Sequence, residues 1–188
     1  MANFSAAFGY DFYIVPVQNA NIADFSAAPT LNTGTPVDPA HSVAYSEGTF
    51  TVNSVAFAMD GSDAAVRLSG LTAASLETDT GTEDIYTYDD ETSGFNQSVA
   101  TTKSFSISLS GIADFADAGY KILRLAEQNT VADGLRVAFQ RVGPTGTTEE
   151  IVGYGTLTGY TESNEVTSIV SWECTLTGYG PYHLTLQA

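Results

Sequence analysis

The chain has 188 residues and a formal net charge of −16, with six Lys and Arg against 22 Asp and Glu. So few bases argue against duplex or single-strand binding, because affinity for nucleic acid comes mainly from Lys and Arg displacing counterions from phosphates. A 43% hydrophobic content with ten Tyr, ten Phe and 17 Gly suits a single, mainly β domain over residues 1–188.

The charge is uneven: residues 1–102 hold thirteen acids against one base, Arg67, while residues 103–188 hold nine against five. The single cysteine, Cys174, sits on the apolar side of a strand pattern and reads as a small buried hydrophobe rather than part of a disulfide framework. The N-terminus Met1-Ala2-Asn3-Phe4-Ser5 has neither the positive nor the apolar region of a secretory signal, and no run approaches the roughly 18 apolar residues of a membrane span. Folding in a cytoplasm is the expectation.

In chain order, Phe8 to Val17 is apolar on both sides of its zigzag, which predicts an N-terminal strand or arm over residues 1–17. Residues 18–46 lose periodicity and collect Pro29, Pro36 and Pro39, predicting a long loop. Gly48 to Met59 and Ala64 to Gly70 read as a hairpin across Asp60-Gly61-Ser62-Asp63, since Asp-Gly is a strong tight-turn signal. Residues 77–100 then read as a second long loop, acidic through Glu77, Asp79, Glu83, Asp84, Asp89, Asp90 and Glu91. The spacing of those acids does not match an EF-hand loop.

Lys103 to Gly111 alternates Phe105, Ile107 and Leu109 with Ser104, Ser106, Ser108 and Ser110, which is a strand with one wet side. Between Gly111 and Asn129 the period becomes helical through Phe115, Ala118, Ile122, Leu125 and Ala126, with Asp114 as the candidate cap and Asp117 adding favourable charge. Lys121 and Arg124 fall on the outward side, either solvated or paired with an acid. A strand carrying Leu135, Val137 and Phe139 follows, bracketed by Arg136 and Arg141, and Gly143-Pro144-Thr145-Gly146 makes the turn. In the next strand, Ile151 to Tyr160, Gly153, Gly155 and Gly159 share a side with Leu157, which points to curvature or close packing. The last strand alternates Val166, Val170, Trp172, Cys174 and Leu176 with Thr167, Ser171, Glu173, Thr175 and Thr177.

Catalysis requires a nucleophile with its base, a metal cage or a poised carboxylate pair, and none is convincing. His41 and His183 are scattered, no Gly-x-Ser-x-Gly elbow occurs, and there is no Gly-rich phosphate loop. The reading is a non-enzyme without cofactor or metal. What the sequence does offer is a set of strand faces that are polar yet nearly uncharged, suited to lining something aqueous from which other anions are repelled.

The order strand, helix, strand, strand, strand over the last 85 residues resembles the major tail tube proteins of long-tailed phages. The resemblance is carried by Gly153-Tyr-Gly-Thr-Leu-Thr-Gly159, a turn through Ser163-Asn164, and the run from Val166 to Gly180 ending in Thr175-Leu-Thr-Gly-Tyr-Gly180; Lys103 to Gly111 and Asp117-Ala-Gly119 also match. It covers about half the chain. It implies an antiparallel β-sandwich with one flanking helix and long loops, whose strands join an inter-subunit β-barrel. Six copies would form a ring, and stacked rings a virion tail tube, assembled in a host cytoplasm, that conducts DNA during ejection without specific binding and without a membrane. A tape-measure protein and a tail terminator are the implied partners besides other copies. On that reading Ser104, Ser106, Ser108, Thr167, Ser171, Glu173 and Thr175 face the lumen, and Glu83, Asp84, Asp89, Asp90 and Glu91 lie on an inter-subunit or inter-ring loop. The competing reading is a monomeric β-sandwich used for binding or for virion decoration, in which the hydroxyl faces are merely solvated.

Overall fold

The computed structural model describes residues 10–37, 41–85, 97–143, 149–163 and 169–186. An eight-stranded sheet runs in the order β2-β6-β1-β9-β10-β11-β8-β7, where β1 is Asp11–Gln18, β2 Asn32–Val37, β6 Ala64–Arg67, β7 Leu71–Ile85, β8 Gln97–Ile112, β9 Leu135–Val142, β10 Glu149–Ser163 and β11 Ser171–Leu186. Every pairing is antiparallel except β2 with β6. A three-stranded sheet of β3 (Val43–Ser46), β4 (Thr49–Val52) and β5 (Val55–Ala56), together with α1 (Ala118–Gln128) and the short α2 (Thr130–Asp133), completes the fold. This is the mainly β, sandwich-like architecture with a flanking helix that the sequence predicts, and the sheet itself is not closed.

The large sheet folds over itself. Arg141 Nη1 on β9 donates to the carbonyl of Ala74 on β7 at 3.3 Å, although three strands separate them in the ladder. The enclosed face carries the main core: Phe12, Ile14, Phe105, Ile107, Leu109, Val137, Phe139, Trp172, Cys174 and Leu176, with Ile122 and Leu123 of α1 and Phe50 of the small sheet. Each such side chain contributes roughly 1.5–3 kcal/mol on burial. Gly153 and Gly155 lie on this face because a Cβ there would meet the Phe139 ring at 3.1 Å and Leu176 at 2.6 Å. Close packing is thus the reason for two of the three glycines; Gly159 is separate, marking the register shift between Thr158 and Thr161.

Residues 1–9 of the expected N-terminal strand or arm lie outside the described residues; the two-sided apolar pattern of the rest is explained by its place, since β1 lies between β6 and β9, with Phe12 and Ile14 in the main core and Val15 and Val17 in a second cluster on the other face. Other expectations are corrected. Residues 18–46 contain β2 and β3, short strands too poor in alternation to be seen; β2 is a sheet edge, where proline is tolerated. The hairpin partner of β4 is β5, through Asn53 and Ser54 at φ 51° and 66°, while β6 leaves to pair with β1 and β2. The described residues of 77–100 are strand, β7 extending to Ile85 and β8 beginning at Gln97 in a ladder held by backbone bonds rather than apolar burial, while the loop expected over residues 86–96 lies outside the described residues. The helix starts later than expected. Asp117, not Asp114, is its cap, its carboxylate accepting from Tyr120 N at 2.9 Å, whereas Asp114 organises the preceding turn through Ala116 N. Phe115 therefore falls outside the helix and stays exposed. The turn residues 144–148 lie outside the described residues, though Gly143 N donates to Glu149 O beside them.

A hydroxyl-lined sheet face as candidate functional site

Register brings the sequence-predicted residues together. Across β7, β8, β11 and β10 the wet face reads Ser75–Ser108–Thr175–Thr158 in one row, Glu77–Ser106–Thr177–Thr156 in the next, and Ala73–Ser110–Glu173–Thr161 beyond it. Ser104 stands opposite Asp79, and Ser171 opposite Ser163. Ser104, Ser108, Ser171 and Glu173 are exposed, Ser106 and Thr175 half-buried. Thr167 lies outside the described residues, as do Asp89, Asp90 and Glu91; Glu83 and Asp84 stand in β7, paired with Val99 and Ser98.

The face forms because period-2 strands put Phe105, Ile107, Leu109, Trp172, Cys174 and Leu176 into the core and leave each intervening residue outside. Hydroxyls satisfy one another across strands: Thr72 Oγ1 and Ser110 Oγ are 3.1 Å apart, Thr158 Oγ1 and Thr177 Oγ1 3.4 Å. The residues that sequence reading passed over are Ser75, Glu77 and Asp79 on β7 and Thr156, Thr158 and Thr161 on β10. Ala74, Leu76 and Thr78 do alternate with the first three, a signal hidden by the acidic composition around them.

The face carries Glu77, Asp79 and Glu173 and no base. Each cation of the chain is engaged elsewhere: Arg67 with Asp11 at 2.6 Å, Arg124 with Glu162 at 2.9 Å, Arg141 with Glu149, Lys121 with the His41 and Ala116 carbonyls, Arg136 with the Thr130 and Leu135 carbonyls, and Lys103 over the Tyr182 ring on the opposite side. Of the two alternatives for Arg124, the ion pair is realised; its guanidinium also lies 4.0 Å from the Tyr160 ring. Burial and a hydrogen bond with Tyr120 push the Tyr160 phenol well above its ordinary range, so this joint between α1 and β10 is held by neutral hydroxyls around one carboxylate. Burial likewise pushes the Cys174 thiol up to about 12, which makes it an inert core group. His183 Nε2 contacts the Ser26 carbonyl, and the described residues hold no cluster able to bind a metal.

A wall of hydroxyls and scattered carboxylates has little chemistry and one physical property: it is wet and anionic. The sequence model of the phage tail tube protein family matches residues 54–183, and the chain belongs to that family. Two solved structures share the fold: a chain of the virion of a native gene transfer agent particle (20% identity, 64% of this chain and 88% of that one, TM-score 0.51) and a chain of the tail of an empty gene transfer agent particle with C6 symmetry (20% identity, 70% and 92%, TM-score 0.52). No curated protein matches the chain. The protein is thus a structural component of a phage-type tail tube and not an enzyme, which sets aside the monomeric binding module. Among the described residues no helix is long and apolar enough to cross a membrane.

Proposed function

We propose that six copies of this chain close into a ring, that rings stack into a tube, and that the hydroxyl face lines a lumen through which DNA passes. The observation that carries this is the continuous wet face of β7, β8, β11 and β10, flanked by two edges that have no strand partner among the described residues. β7 is the last strand of the sheet, and β9 pairs with β10 only as far as Gly155, leaving residues 156–163 without a described strand partner on that side. Four strands alternate in direction, so rotating a copy to set its β10 beside a neighbour's β7 makes an antiparallel seam with the hydroxyls continuing on one side. Closure removes edges that would otherwise pair without control.

Six copies lending four strands each give about 24 strands, and a spacing of about 4.8 Å with a tilt near 45° gives a backbone diameter on the order of 50 Å, wide enough for a duplex. Carboxylates without bases hold phosphates off the wall, so DNA slides rather than binds. The outer part of β7 with Glu83 and Asp84, and the segment with Asp89, Asp90 and Glu91, serves contacts between subunits or rings. A tape-measure protein and a tail terminator are the partners that the family resemblance implies.

Glu173→Lys places a cation among the hydroxyls at an exposed position. It is expected to slow or abort DNA release from particles triggered in vitro, while electron microscopy still finds rings. Release at the wild-type rate would remove this face from the lumen.

A further inference from the structure

Beyond the Thr177–Ser106 pair the sheet forks: β8 continues with β7 as far as Gln97, and β11 continues with β10 as far as Leu186. The fork holds a cleft of about 670 Å³ lined by Phe105, Gly178, Pro181, Tyr182 and Leu184, together with Lys103. Phe105 and Tyr182 meet edge to face at 5.2 Å, and Lys103 Nζ stands 5.8 Å from the Tyr182 ring. Among the described residues neither bordering strand is paired on the edge that faces the fork, a feature that ordinarily invites an added strand. β11 is unfit for that. Pro181 has no N–H to give, and Gly180 sits at φ 91° beside the register shift between Gly153 and Gly155, so this stretch of β11 cannot offer an unbroken row of donors and acceptors. The cleft is shaped to receive side chains.

The opposite end of the same two strands carries the complement. Between the end of β8 and the start of β11 the chain exposes Ile112, Phe115 (63%) and Ile169 (70%) beside the exposed Asp114. The Ala113 N to Val170 O bond of 2.9 Å ties the two loops together, and Tyr120 holds the Phe115 ring edge-on at 5.7 Å. We propose that this knob on one copy seats in the cleft of a second copy stacked along the strand direction, Phe115 against Phe105 and Tyr182 and the Asp114 carboxylate toward Lys103. The two surfaces differ, so the contact is head-to-tail and repeats without closing. Lys103 is the only base among the described residues that line the cleft, and in a chain of net charge −16 an opposite-charge contact selects this docking over others that juxtapose acids. The inference rests on the ring reading above and names the surface that joins one ring to the next.

The test is sedimentation velocity with negative-stain microscopy on the full-length chain. Phe115→Ser and Lys103→Glu alter exposed side chains, and unchanged thermal unfolding verifies that both fold. The first is expected to weaken end-to-end association about thirtyfold and the second about tenfold, with ring diameter unchanged in both. Combining Lys103→Glu with Asp114→Lys restores stacking. Variant rings that stack as the wild type does, or a charge swap that unfolds at the wild-type temperature and still fails to rescue, overturn the knob-and-cleft contact and leave the rings standing. A wild-type chain that forms no rings at any concentration overturns the ring reading itself, and this contact with it.

Discussion

One face of the large sheet is treated in two opposite ways. Over β1, β6 and β9 it is apolar, with Val15, Val17, Ala65, Ala138 and Tyr154 roofed by Ile22, Phe25 and Leu31 from the segment between β1 and β2. Over β7, β8, β11 as far as Thr177 and the second half of β10 the same face is a field of hydroxyls that, among the described residues, no segment roofs. The boundary crosses β10 within a few residues: Tyr154 is 6% exposed under Phe25 at 5.0 Å, while Thr158 is open to solvent. A single strand thus serves a core and a wall. Side-chain choice decides which, since the backbone pairing continues through both.

The most disruptive way to break the contrast is Tyr154→Ala, which empties the roofed half and is expected to cost about 3 kcal/mol in denaturant unfolding. Thr158→Ala, four residues along on the same side, is expected to change stability by no more than about 0.5 kcal/mol. Equal losses would mean that the hydroxyl half is packed as well. A finer cut targets the roof. Gly180→Ala forces a side chain into a left-handed backbone and against the Phe25 carbonyl, and an expected loss of about 1–3 kcal/mol should come with faster amide exchange around Phe25 and Tyr179. The β7–β8 ladder should keep its protection.

The hydroxyl half was legible because strict alternation in β8 and β11 leaves each serine a defined side, and the core face follows from the same residues. The helix was legible by its period, but its start was not: Asp114 and Asp117 both satisfy a capping pattern, and only the tertiary position of Ala118 and Tyr120, buried beneath the cap, decides between them. β7 was missed entirely, since beyond Leu76 a strand wet on both sides has no apolar signature and owes its existence to pairing with β8. The roof was illegible for a related reason. Ile22, Phe25 and Leu31 have no regular spacing, and what they cover is set by contacts with Tyr154 and Tyr179, more than a hundred residues away.

The smallest expected effect separates the halves by acid. Asp24 and Asp60 lie in the loops beside Tyr154, whose phenol is raised first by burial and then by those two charges. Hydrogen bonds from the Ser26 hydroxyl and N–H hold the Asp24 carboxyl below its ordinary value, and Ser62 does the same for Asp60. A carboxyl lowered in the folded state stabilises fully above its unfolded pKa of about 3.9 and loses that contribution as pH falls through the lower folded value. Below about pH 4, amide exchange corrected for its intrinsic rate should therefore rise first at residues 24–26 and 60–63. The Ser and Thr rows, whose hydroxyls do not titrate there, should respond only with global unfolding. Asp24→Asn with Asp60→Asn should abolish the early response, and an early response that persisted in that double variant would trace the acid sensitivity to other carboxylates.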